Sequence, residues 1–181
     1  MQMTPEVQIR SAVKALTDVV LPAVDPNNKL AQEQARLVIG MLNLMGEQLP
    51  FRYRFDRDEL NRLVAYSRKI QLAARGGEAT TSAVTQLSAA TNAAQKALDG
   101  AITTPEALVD AVRTMRAATG EVVTQAYRDG DTDCRGAVRD LVLELSQAQL
   151  LRERSMYLAQ GWEPDPKAIP PIATLLDESS R

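Results

Sequence analysis

The sequence predicts an all-α protein: a mostly antiparallel bundle of about six helices followed by a proline-rich C-terminal arm. Three observations lead there. Apolar residues recur at spacings of three and four through most of the 181 residues. The apolar fraction of 45% leans on alanine, with aromatics at only 4%, which suits closely packed helices better than a sheet. Helix start and stop signals punctuate the pattern at helix-length intervals. The length allows one domain, residues 1–161, with residues 162–181 as an arm packed on the bundle or on a partner subunit.

Thr4-Pro5-Glu6 opens the first helix with a capping hydroxyl, a proline where no N–H is needed, and a carboxylate facing the positive dipole end. Ile9, Val13, Leu16 and Val20 share its inner face, and Pro22 stops it after about Leu21. "DPNN" makes a turn. A second helix, from roughly Lys29 to Leu49, turns Leu30, Leu37, Met41, Leu44 and Met45 inward.

Asp56, with Glu59 three residues on, predicts the N-cap of a third helix that carries Leu60, Leu63, Val64 and Ile70 and ends before Gly76-Gly77. "LPFRYRF" before it is expected to be an extended connector. Phe51, Tyr53 and Phe55 would then alternate to one side and fasten it to the bundle. A fourth helix, about Thr81 to Leu98, is rich in Ala, Thr and Ser and buries Val84, Leu87, Ala94 and Leu98. "TTPEAL" starts a fifth, ending near Arg128, with Leu108, Val112, Met115 and Val122 or Val123 inside. The last helix runs from about Thr132 to Gln160 on Val138, Leu141, Leu145, Ala148 and Leu151, and Gly161 closes it. Four of the nine prolines lie in the arm, whose Trp162, Ile169, Ile172, Leu175 and Leu176 need cover.

Function classes narrow by composition. The chain has no histidine, which removes the commonest general base and most zinc and di-iron ligand sets. No clustered catalytic set stands out, no cofactor motif is present, and a non-enzymatic role is favoured. The lone Cys134 cannot form an internal disulfide, and the N-terminus lacks a secretory pattern, so a cytoplasmic location is expected. No run is apolar enough to span a membrane. A net charge of -2 disfavours general binding to nucleic acid.

Two local patterns invite ligands. Residues 51–75 hold seven basic and three acidic side chains, a net +4 against -6 for the rest of the chain. Arg52, Tyr53, Arg54 and Arg57 therefore form the candidate binding set for an anionic small molecule; the alternative is an enzyme or enzyme subunit acting on a CoA-linked or phosphorylated substrate through this 51–75 segment. The plainer reading is a solvated face whose arginines pair with acids on neighbouring helices. Asp129, Asp131 and Asp133 in "DGDTDC" reproduce the acidic alternation that opens a calcium-binding loop. Cys134 stands where glycine is needed and Asp140 where glutamate is usual, so a helix corner is preferred over a metal site.

"VKALTDVVLPAVDPNNKLAQEQARLVIGML", with "LNLM" at its end, resembles the opening of a family of small uncharacterised bacterial helical proteins. Members are often encoded beside acyl-CoA dehydrogenase genes. The resemblance extends to Met45, implies an accessory role near acyl-CoA metabolism, and carries no catalytic residue across. The expected assembly is a homodimer, through the arm or the exposed face of the final helix, with a protein partner as a further possibility.

Overall fold

A computed structural model describes residues 3–100 and 103–178. It is 84% helical, with no strand among the described residues. Among the described residues seven helices follow one another: α1 (Pro5–Ala15), α2 (Lys29–Gln48), α3 (Arg52–Ala73), α4 (Glu78–Asp99), α5 (Pro105–Asp129), α6 (Thr132–Met156) and α7 (Ile172–Glu178). The all-α class expected from the sequence is thus present. The chain divides into two compact units, one of residues 1–52 and 153–172, the other of residues 53–152 and 173–181.

In the first unit α1 continues through a wider π segment (Leu16–Val20) and a last turn (Leu21–Ala23). The Leu21 N–H reaches back five residues to the Leu16 carbonyl, just before Pro22 removes a donor. Asn28 caps α2 by accepting from the Ala31 N–H at 3.0 Å. The 3₁₀ turn Leu158–Gln160 closes on Gly161, whose φ of 73° lies in the left-handed region that glycine tolerates. Ser155 donates to the Pro170 carbonyl at 2.6 Å, and Arg154 grips Glu163 through Nε and Nη2.

The expected inner faces of these first two helices are corrected. No residue of α1 or α2 is fully buried. Val20, Leu30, Leu37, Met41 and Met45 are all exposed, and of the residues assigned inward Ile9, Val13, Leu16 and Leu44 are half-buried. Apolar residues surround α2 too broadly for one partner helix to cover. The residues of α2 that are half-buried include Ala31, Ala35, Ile39, Leu42 and Gly46, and α2 packs against α1. A Cβ on Gly46 would stand 3.3 Å from Ile9 Cγ2.

The second unit holds the hydrophobic core. Leu60, Leu63, Val64 and Ile70 of α3, Leu87, Ala94 and Leu98 of α4, and Leu108, Val112, Met115 and Val122 of α5 are buried together with Val138 of α6, much as the spacings require. Val84, Leu141 and Leu145 pack half-buried against them. Thr104 caps α5 by accepting from the Ala107 N–H at 3.2 Å. Of the apolar residues after Gly161, Leu175 and Leu176 belong to this unit and are buried, Ile169 belongs to the other and is buried, and Trp162 is 81% exposed.

Candidate functional site

The stretch around "FRYRF" is helical, not an extended connector. The turn ends at Phe51 and α3 begins at Arg52, so Asp56 lies inside the helix instead of capping it. A proline just before a helix start presets the backbone without a donor being lost, and that preference wins over the aromatic alternation. The rings diverge in consequence: Phe55 is buried, Phe51 half-buried and Tyr53 exposed.

This earlier start builds a site. Arg54, Arg57, Asp58 and Asn61 stand at i, i+3, i+4 and i+7, one face of α3. They line a cleft of about 540 Å³ with Gln95, Leu98 and Asp99 from the end of α4 and Leu176 of α7. Arg54 pairs with Asp177 at 2.5 Å, both well exposed. Arg57 donates through Nη2 to the Leu98 carbonyl at 2.8 Å, a natural place for a cation at a helix C-terminus. Gln95 accepts from Arg68 at 2.9 Å and donates to Asp99 at 2.8 Å.

Asp58 anchors the wall. Its Oδ2 accepts from Arg62 Nε at 2.8 Å and from Arg152 Nε at 2.9 Å, with all three side chains largely withdrawn from water. Its Oδ1 is buried and has no hydrogen-bond partner. The next residue, Glu59, is pushed above the usual carboxylate range by burial, against the pull of Arg116, which it meets at 2.5 Å.

Of the residues singled out from the sequence, Arg54 and Arg57 reach the cleft. Tyr53 instead donates to the Thr103 carbonyl at 3.2 Å, and Arg52, the first residue of α3, is not part of the lining. Much of the local positive charge is engaged elsewhere: Lys69 pairs with Glu144 at 2.7 Å, and Arg62 with Asp58. The lining therefore offers two guanidinium groups and two carboxylates beside the negative end of α4, suited to a polar ligand of mixed charge more than to a polyanion. Asp58, Asn61 and Gln95 were missed. Their i+4 and i+7 spacing from Arg54 could have revealed the first two, had the helix been started four residues earlier.

The acidic corner is structural in its contacts. Asp129 caps α4, accepting from the Ala79 and Thr80 N–H groups at 3.1 and 3.3 Å and from the Thr80 hydroxyl. Gly76 and Gly77 admit that carboxylate, since a Cβ on Gly77 would lie 2.7 Å from its Oδ2. Asp131 caps α6 by accepting from the Cys134 N–H at 2.8 Å, Asp140 pairs with Arg139, and Asp133 is exposed. Among the described residues no three acidic or thiol groups gather into a metal-ligand set, and no helix is long and apolar enough to cross a membrane. No family model, curated protein or solved structure matches the chain.

Proposed function

We propose that this is a non-enzymatic, cytoplasmic binding protein whose cleft beside Arg57 and Asp58 takes a small polar ligand carrying both a hydrogen-bond donor and an acceptor or anionic group. The scaffold is read as a mostly antiparallel helical bundle. The observation that supports the ligand is the buried, unpartnered Oδ1 of Asp58 on a residue that lines the cleft. An unsatisfied carboxylate oxygen is costly, and a donor from outside the protein would relieve it. Arg57, whose recorded partner is a carbonyl and not a carboxylate, supplies the complementary charge. An accessory role near acyl-CoA metabolism rests on the sequence resemblance up to Met45, and puts CoA esters among the candidate ligands. Self-association of two copies also belongs to this proposal, supported by the exposure of Trp162 and of Leu143 and Leu150 on α6.

Thermal-shift screening of the full chain against zwitterionic metabolites, CoA esters, nucleotides and divalent metals tests the reading. A true ligand raises the melting temperature, and at fixed concentration the rise grows with the logarithm of its affinity for the folded state. Arg57→Gln should weaken that rise sharply, and loss of the Leu98 contact should lower the unliganded melting temperature only modestly. If Arg54→Glu and Arg57→Glu together bind every stabilising ligand normally, the cleft is a solvated face and the proposal fails.

A further inference from the structure

A second cavity, of about 200 Å³, lies between α3 and α6. Arg62, Ala65, Tyr66 and Lys69 line it from α3, at i, i+3, i+4 and i+7, and Glu144, Leu145 and Ala148 line it from α6. Lys69 and Glu144 are joined at 2.7 Å and remain more than half exposed, so this ion pair sits toward solvent. Two atoms on this lining are buried and have no partner: Arg62 Nη1 and Tyr66 Oη. Arg62 is otherwise committed, through Nε to Asp58 at 2.8 Å and through Nη2 to Gln149 at 2.8 Å. Tyr66 is only 5% exposed.

A single unsatisfied buried donor is uncommon in a folded protein. Two of them, on residues four apart on one helix face that line one cavity, point to one acceptor that could serve both. The space exceeds that of one water, whose share of the liquid is about 30 Å³. Water could meet the polar wall, donating in turn to Tyr66 Oη or Glu144, but it leaves the apolar wall of Ala65, Leu145 and Ala148 without a matching surface. An acceptor-only group with an apolar tail satisfies both walls.

We propose that this cavity binds a short aliphatic carboxylate, its oxygens accepting from Arg62 Nη1 and Tyr66 Oη and its chain lying against Ala65, Leu145 and Ala148. Burial, aided by the nearby Glu144 charge, pushes the Tyr66 phenol up to about 12, so it stays a protonated donor at neutral pH. Lys69 offsets the repulsion that Glu144 would otherwise exert on the incoming anion.

The test is titration of the full chain with carbon-13-labelled acetate, propionate and butyrate, followed by NMR. Saturable binding that strengthens with chain length is expected. Tyr66→Phe keeps the ring and removes a hydroxyl that has no protein partner, so it should fold normally yet bind roughly ten- to a hundredfold more weakly. Ala148→Leu fills the cavity while keeping both donors, and should bind none of the three. The proposal is overturned if no carboxylate binds saturably, if Tyr66→Phe binds as tightly as the parent, or if inorganic phosphate competes as well as butyrate.

Discussion

Asp58→Asn removes one negative charge from between two largely buried guanidinium groups. Asp58 is 4% exposed in its side chain, Arg62 14% and Arg152 11%, and both charge-assisted contacts are shorter than 3 Å. Assembling such a group from water gains little net stability, because desolvation offsets the attraction. Breaking it is different, since two cations stay behind without their shared anion, and the loss should be about 3–5 kcal/mol. With a urea dependence of about 2 kcal/mol per molar, the unfolding midpoint should fall by roughly 1.5–2.5 M. Circular dichroism across a urea series measures it directly. A loss below about 1 kcal/mol, the range of exposed ion pairs, would refute the argument that this group is buried. A control strengthens the reasoning: replacing all three together, as Asp58→Leu, Arg62→Met and Arg152→Met, should recover most of the loss.

Glu59→Gln should stabilise the protein at neutral pH. Because burial lifts the folded carboxyl above its ordinary 4.5, the folded state holds a proton that the unfolded chain has already released. Stability contributed by that proton is complete below the unfolded value and is lost as pH rises through the folded one, so urea midpoints of parent and variant should separate over that window. Asp129→Ala should lower the melting temperature at neutral pH. Its carboxyl is held below 3.8 by the Thr80 hydroxyl and then by backbone N–H groups, so the difference should vanish as pH falls through that depressed value. Millimolar calcium should leave melting unchanged, and a calcium stabilisation abolished by Asp131→Ala would reverse the reading of that corner. Sedimentation of the full chain should show a dimer weakened by Trp162→Ser, and a monomer at high micromolar concentration would rule it out.

The helices of the second unit were legible because their signals agree. Thr104-Pro105, Asp99-Gly100 and Gly76-Gly77 mark ends at which the three-four spacing also begins or stops, and nearly every residue assigned to that core is buried or half-buried. The first two helices were misread because periodicity identifies an apolar face without saying what covers it. On α2 two apolar faces compete, and the half-buried one carries the smaller Ala31, Ala35 and Gly46 while Leu30, Leu37, Met41 and Met45 are exposed. The cleft was half visible. Arg54 and Arg57 were found by charge, but treating 49–55 as extended hid the helical neighbours Asp58 and Asn61, and no local pattern announces that Arg152, far along the chain, shares Asp58. The cavity at Tyr66 has the same character. Its two donors look like ordinary helix residues until their lack of acceptors is seen in three dimensions.

Trp162 is the sole indole of the chain and is 81% exposed. Its emission should therefore resemble that of free tryptophan in water, long in wavelength and readily quenched by iodide. Unfolding by urea will change it little, so a flat fluorescence trace cannot be taken as evidence of a structure that resists denaturant. The same position makes the indole a reporter of contact. Any surface that covers this ring removes water from it, and emission should shift to shorter wavelength with protection from iodide. Protein concentration alone, raised with no label attached, then distinguishes a solitary chain from one that meets a second copy at this ring.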